Sequence, residues 1–179
     1  MHAFWVHGFE ATSMADLVEA TGSTRQSIYG DFESKRGLYR ACFDHYRDRV
    51  VLPALTPFGA EEAGLEALAA YFETQIGLAQ SLGLPGPGCL VGNAMTETAP
   101  DDCEIRSCVE DHNRRLERAF GSALPNSLAN ERRTELARFL VVAAQGLWAV
   151  SRVTSSAEEL RARAVTIIKL VERELSHDE

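Results

Sequence analysis

Residues 12–39 read TSMADLVEATGSTRQSIYGDFESKRGLY and are the most informative part of the chain. Its first part carries apolar residues at steps of three and four, the spacing of one helix face: Met14, Leu17, Val18 and Ala20. Thr12 or Ser13 can cap the start of this helix, because their hydroxyls accept backbone N–H groups. Gly22 can end it, since glycine readily takes the left-handed backbone angles found after helix C-termini. The pattern predicts a short helix followed by a tight turn.

A second short helix is predicted directly after that turn. Thr24 can cap its start, and Ile28 and Phe32 form its buried side. The other side carries donors suited to base edges and phosphates: Arg25, Gln26, Ser27 and Tyr29. The two helices together predict a helix-turn-helix, with a helical hairpin that merely packs as the simpler alternative.

This run resembles the DNA-binding motif of the TetR family of transcriptional repressors. The match continues through positions spaced as in that family's recognition helix and long fourth helix: Tyr29, Phe32, Ser34, Lys35 and Leu38. The resemblance implies that Arg25, Gln26 and Ser27 face the major groove, and that Thr12, Tyr29 and Lys35 hold phosphates. The helix caps Ser13 and Thr24 complete the predicted DNA-binding set. Gly30 and Asp31 depart from the residues that the family commonly carries there.

The first residues resemble only the end of the family's first helix. Ala3-Phe4-Trp5 and the following His7-Gly8-Phe9 match that part. We therefore expect a longer form of the protein with about one to two further helical turns, or more. The first helix supplies phosphate contacts at its N-terminus, in the turns that are missing here. Their loss would weaken DNA binding.

The net charge of −8 is unevenly distributed. Residues 1–50 hold 6 basic and 7 acidic groups, whereas the other 129 residues hold 12 basic and 19 acidic groups. The acidic excess therefore lies outside the predicted reading head, where it limits nonspecific binding and leaves Arg25, Lys35 and Arg36 free to act. We expect few phosphate contacts and a shallow salt dependence of DNA binding.

The rest of the chain predicts helices only, so the fold class is all-α. A long fourth helix begins at Lys35 and is terminated by Pro53 and Pro57. The later helices are predicted at about Glu61–Leu82, from Cys89 to near Ala99-Pro100, and at about Asp101–Leu124, Glu131–Val153 and Ala157–Leu175. We predict a DNA-binding domain at residues 1–46, with its first helix truncated, and an effector-binding and dimerisation domain at residues 47–179.

The last two predicted helices are too apolar for a pair that faces solvent. Small residues would let their backbones approach closely: Ala143, Ala144, Gly146 and Ala149. One interpretation is a well-filled monomer core. The other is a four-helix homodimer interface, which the family resemblance also implies. Two recognition helices held about 34 Å apart would then require a palindromic operator.

The middle helices mix large apolar side chains with a few neutral polar groups, as small-molecule pockets do. The predicted ligand-binding residues are Phe72, Gln75, Ile76, Asn93, Met95, Thr96, His112, Gln145 and Trp148. Core packing is the simpler role for any one of them. Because the set carries little charge, it predicts an apolar or weakly polar effector. We expect that effector to favour a form in which the fourth helix swings and the spacing of the reading heads changes.

Cys89 is the candidate sensor among the four cysteines. A Pro-Gly loop places it at a helix N-terminus, where backbone amides stabilise a thiolate. The simpler role is a small buried cap. Cys108 and His112 lie one helical turn apart, but no further ligands accompany them, so the sequence predicts no metal site.

Other function classes find little support. The sequence has no phosphate-binding glycine loop, no nucleophile elbow and no His-Glu-x-x-His site, and Asp101-Asp102 fits an N-cap better than a catalytic pair. The sequence contains no membrane-spanning run and no signal peptide, so we expect a cytoplasmic protein. With none of these catalytic motifs, we expect neither an enzyme nor a cofactor. We predict a ligand-responsive repressor. The alternatives are a thiol-based electrophile or oxidant sensor acting through Cys89, and a helical interaction protein that does not bind DNA.

Overall fold

The computed structural model describes residues 1–60 and 63–177, and helices are the only regular structure in those ranges. The all-α prediction is therefore confirmed. In chain order the helices are α1 (His2–His7), α2 (Met14–Thr21), α3 (Arg25–Phe32), α4 (Lys35–Tyr46), α5 (Gly64–Leu82), α6 (Leu90–Glu97), α7 (Cys103–Ser122), α8 (Asn130–Ser151) and α9 (Ala157–His177). The described part of the chain contains no helix long and apolar enough to cross a membrane.

Helix α4 does not stop where its regular hydrogen bonding ends. A π-helical segment, Arg47–Val51, and a short α-helical segment, Leu52–Ala54, continue its path. Pro53 was predicted to terminate the helix, but it lies inside the short segment. Proline has no backbone N–H to donate, so the π-helical hydrogen bonding ends with the Leu52 amide on the Arg47 carbonyl, while the chain keeps its helical path. The 3₁₀ turn Thr56–Gly59, which contains Pro57, follows.

The amino-terminal helices form a small head around aromatic side chains. Phe4 of α1 and Tyr39 of α4 are almost wholly buried, with ring centroids 4.9 Å apart. Phe9, in the connection after α1, also packs on Tyr39, at 4.9 Å. This aromatic contact holds α1 across α4, and α2 and α3 complete the head by packing on each other.

Helices α5 to α9 form the body. Helices α7 and α8 run antiparallel, since Glu117 lies opposite Arg138 and Asn113 lies opposite Gln145. Helix α9 packs on α5 and α8, and the Arg161 guanidinium on α9 binds the Glu73 carboxylate on α5 through two nitrogens. The body core contains fully buried side chains from each layer, including Leu68, Phe120, Leu140 and Leu160.

The predicted helix boundaries lie within a few residues of the observed ones. The predicted start of the fifth helix, Glu61, lies outside the described residues. Helix α6 is shorter than predicted: Cys89 is its N-cap, and it ends at Glu97 rather than near Ala99-Pro100. Asp102 caps α7 by accepting the amides of Glu104 and Ile105, which is the structural role expected for the Asp101-Asp102 pair.

Candidate DNA-binding surface and effector groove

Side-chain caps fix the geometry of the helix-turn-helix. Ser13 and Asp16 form a capping box at the start of α2, in which each side chain accepts the other residue's backbone amide. Gly22 ends α2 in the left-handed conformation. The Thr24 hydroxyl then accepts the Ser27 amide at 3.1 Å and starts α3. The caps are local contacts, so residues within four positions of one another specify the turn between the helices.

Helix α3 presents a polar outer face. The side chains of Arg25, Gln26, Ser27 and Tyr29 are all exposed, and Ile28 on the opposite side is buried. Neither Arg25 nor Gln26 has a side-chain hydrogen bond or ion pair within the described ranges. Ser27 Oγ lies 3.5 Å from the Asp31 carboxylate, which adds one negative charge to this face. The outer face of α3 therefore keeps its guanidinium and amide donors free for an external acceptor.

Three residues expected to contact DNA or to be free to act on it have partners within the protein. Thr12 is buried, and its hydroxyl donates to the Gly8 carbonyl at 2.6 Å. The Lys35 ammonium lies over the Phe9 ring, 4.3 Å from its centroid. Arg36 was expected to be free, but its guanidinium binds the Asp102 carboxylate at 2.6 Å. The partner of Thr12 is four residues away, whereas Lys35 and Arg36 contact residues far away in the sequence, which no local pattern reveals.

The head and the body are joined mainly through α6. The Trp5 indole N–H donates to the Gly88 carbonyl at 2.9 Å, and the Asn93 amide donates to the Trp5 carbonyl at 3.3 Å. The Glu97 carboxylate accepts the Glu10 amide at 3.0 Å. Asn93 and Glu97 lie one turn apart on α6, so one face of this helix holds the backbone of the head at two points.

The same face of α6 lines a groove of about 620 Å³ against α8, which we call the α6–α8 groove. Five of the nine predicted ligand-binding residues line it: Asn93, Met95, Thr96, Gln145 and Trp148. Its walls also include Val142 and Ala149 of α8 and the end of α1 at His7. A mixed lining of apolar and neutral polar groups is typical of sites for small organic molecules.

The structure places the other four predicted ligand residues away from this groove. Phe72 and Ile76 are core residues, each with 1% of its surface exposed. Gln75 and His112 line a small cavity of about 20 Å³ beside Tyr71 and Trp148. The predicted set therefore divides into core residues, a small inner cavity and the α6–α8 groove.

A polar chain crosses the groove wall. The Gln145 side-chain amide donates to Asn113 Oδ1 at 3.3 Å, and the Asn113 amide lies 3.7 Å from the Met95 sulfur. Gln145 Oε1 is buried and accepts no hydrogen bond within the described structure. A buried carbonyl oxygen without a donor is energetically unfavourable, and this one lies against Gly92 of α6, beneath the surface of the groove.

Cys89 caps α6, as its sequence position indicates, and its sulfur accepts the Gly92 amide at 3.3 Å. The sulfur also lies 3.9 Å from His112 Nε2. Burial raises the pKa of the Cys89 thiol despite the amide contact, and burial lowers the pKa of His112 to about 4. Both groups are therefore neutral near pH 7, and burial works against the thiolate that a rapid thiol sensor needs.

Three charged or titratable residues that line the α6–α8 groove were missed by the sequence analysis: His7, Glu97 and Arg152. Glu97 is the last residue of α6, and Arg152 directly follows α8. Residues at helix ends fall outside the periodic apolar stripes that guided the prediction. Within the described ranges, no group of three or more His, Cys, Asp or Glu side chains could hold a metal ion.

Comparison with known proteins agrees with this architecture. Residues 1–42 match the family model for bacterial regulatory proteins of the tetR family. The chain is 36% identical over 177 residues to the HTH-type transcriptional repressor ComR of Escherichia coli strain K12, with 95% of this chain and 84% of ComR covered.

Solved structures show the same fold. A cysteine mutant of the TetR family regulator CifR, complexed with 26 bp double-strand operator DNA, matches with a TM-score of 0.78 and 25% identity over 93% of this chain and 90% of that one. A TetR regulator from Legionella pneumophila matches with a TM-score of 0.79 at 18% identity, over 93% and 90% of the two chains. With its helix-turn-helix head, its helical body and these relatives, the chain belongs to the TetR family of transcriptional regulators.

Proposed function

We propose that this protein is a homodimeric repressor that binds a palindromic operator through α3 and releases it when a small effector occupies the α6–α8 groove. The observation that carries the proposal is the outer face of α3. Arg25 and Gln26 lie there exposed and without a protein partner, on a helix held by caps. Arginine and glutamine are suited to hydrogen bonds with guanine and adenine in the major groove. Such a regulator acts in the cytoplasm, where the chromosome lies.

The proposed dimer uses the outer faces of α8 and α9. Phe139 and Val150 on α8 are 45% and 37% exposed, and Val165 and Leu170 on α9 are 47% and 45% exposed. Exposed apolar side chains on both helices favour association between copies, and a two-fold axis beside them would form a four-helix interface.

The effector is proposed to act through α6 as well as α4. An occupant of the groove contacts α6, and α6 holds the head through Asn93 and Glu97. The salt bridge from Arg36 on α4 to Asp102 before α7 adds a third link. An effector shifts the head only by its difference in affinity between the DNA-binding and released forms. The division into a head of residues 1–46 and a body of residues 47–179 belongs to this proposal.

Operator binding provides the direct test. Fluorescence anisotropy with labelled promoter DNA from the gene's own neighbourhood would compare the wild type, Arg25→Ala and Arg138→Ala. Arg138 is an exposed arginine on α8, so it serves as a charge-matched control. We expect Arg25→Ala to weaken specific binding by roughly tenfold to a hundredfold, since one base contact contributes about 1–3 kcal/mol.

Arg138→Ala should bind the operator like the wild type. Equal affinities of Arg25→Ala and the wild type would contradict the reading role of α3. A stable wild-type dimer that binds none of its promoter DNA would instead favour the alternative of a helical interaction protein.

A further inference from the structure

We infer that the α6–α8 groove selects an organic cation, an ammonium-bearing molecule with an apolar body, whose charge binds Glu97. The inference rests on the proposed function, because it names the effector class for the same groove. It also revises the sequence expectation of an apolar or weakly polar effector, which did not take Glu97 into account.

The Glu97 carboxylate has no cationic partner in the described parts of the chain. This carboxylate lines the groove and accepts one backbone amide, from Glu10, at 3.0 Å. No lysine, arginine or histidine nitrogen lies within 4.0 Å of it in the described parts of the chain. Carboxylates in grooves are stabilised by a charged donor, so a bound ammonium would provide a partner that the protein does not.

Charges along the groove orient such a ligand. Glu97 ends α6, where the helix dipole is negative, and both favour a positive group. Arg152 lies at the opposite end, where its guanidinium donates to the Pro87 carbonyl before the start of α6. Eight residues of α6 span about 12 Å, which separates the two ends by the length of a small amphiphile.

The walls between these ends fit the rest of the ligand. Met95, Val142 and Trp148 provide apolar surface, and Trp148 offers an aromatic ring. This apolar surface suits the body of the ligand, and the Glu97 carboxylate at one end supplies the acceptor for its ammonium group.

Cation binding would act directly on the reading head. The carboxylate that receives the ammonium is the one that holds the Glu10 amide between α1 and α2. An ammonium group competes with this neutral amide for the same oxygens, and charged donors bind carboxylates more strongly. Ligand binding would thus loosen one of the contacts between α6 and the head.

Three ligands with one apolar body test the inference: phenylbutylamine, phenylbutanol and phenylbutyrate. Calorimetry would measure their binding to the full chain, and anisotropy would measure release of bound promoter DNA. We expect the amine to bind about tenfold or more tightly than the alcohol, with the carboxylate weakest. The amine should also be the most effective in releasing DNA.

Variants at Glu97 separate charge from structure. Glu97→Gln keeps an oxygen for the Glu10 amide but removes the charge, so it should fold normally and lose the preference for the amine. Glu110→Gln makes the same change at an exposed residue of α7 and should keep that preference. The thermal midpoint of each variant would check folding.

The outcomes distinguish the two proposals. Equal binding of amine and alcohol, no amine binding at millimolar concentration, or an amine preference retained in Glu97→Gln would each overturn the inference. If only the alcohol releases DNA, the repressor function stands and the cation class is wrong. If the wild type binds no promoter DNA, the proposed function fails, while calorimetry still decides the ligand class.

Discussion

At the scale of single residues, the turn between α3 and α4 illustrates how backbone contact restricts sequence. Gly37 lies in the first turn of α4, where a Cβ atom would stand 2.0 Å from the Phe32 carbonyl oxygen. Gly30, in α3, has no atom within 4 Å of the corresponding position. A side chain therefore has no room at Gly37, whereas Gly30 has room for one.

Gly37→Ala should destabilise the head, because its methyl group would overlap a backbone oxygen that cannot move freely. We expect a loss of about 1–3 kcal/mol in the free energy of unfolding, typical of overpacking. Gly30→Ala should raise it by about 0.5–1 kcal/mol, because alanine favours the helix. Urea unfolding followed by circular dichroism measures both, and equal effects would refute the steric argument.

At the scale of elements, three helices meet at a buried imidazole. His112 of α7 lies beside Cys89 at the start of α6, and it lines a small cavity together with Tyr46 of α4. Burial lowers the pKa of His112 to about 4, and the nearby Arg115 adds to the shift. Protonation therefore costs the folded state much more than the unfolded chain, whose histidine keeps its ordinary pKa of 6.5.

The free energy of unfolding should consequently decrease as the pH is lowered. Below pH 6.5 the unfolded state takes up a proton that the native state does not, so the free energy of unfolding decreases between about pH 6.5 and 4. The loss from His112 should reach about 2 kcal/mol at pH 5. Thermal unfolding from pH 7 to 5 should show a shallower slope for His112→Gln than for the wild type. The exposed control His45→Gln should keep the wild-type slope, and parallel slopes for all three would exclude this role.

At the scale of the whole molecule, the proposed two-fold interface determines whether two heads can reach one operator. Phe139 on α8 and Val165 on α9 are 45% and 47% exposed, and Leu52, in the short segment that follows α4, is 43% exposed. These three side chains are similarly exposed, so a difference between their variants would reflect where each side chain lies and not how accessible it is.

Phe139→Glu and Val165→Glu should convert the dimer to a monomer, because each would place two carboxylates across the two-fold axis in an apolar interface. Leu52→Glu should remain dimeric. Size-exclusion chromatography with light scattering measures the mass. A monomeric wild type, or a dimer unaffected by either charge, would argue that the apolar surface serves another purpose.

The features that could be predicted from the sequence alone are local ones. Helix positions, the helix-turn-helix and its caps follow from spacing and from residues within four positions of one another, such as Ser13 with Asp16. The family and the all-α class follow from the same patterns. These features were predictable because short-range hydrogen bonds and apolar periodicity are written directly in the order of residues.

Helix packing determined which side chains lie close to one another. Lys35 contacts Phe9, Arg36 binds Asp102, and the nine proposed ligand residues are divided among core, cavity and groove. Glu97 lines the groove because α1 and α8 both pack on α6. Contacts between residues 87 positions apart depend on how helices pack, and a helical stripe specifies that a face is buried without specifying what buries it.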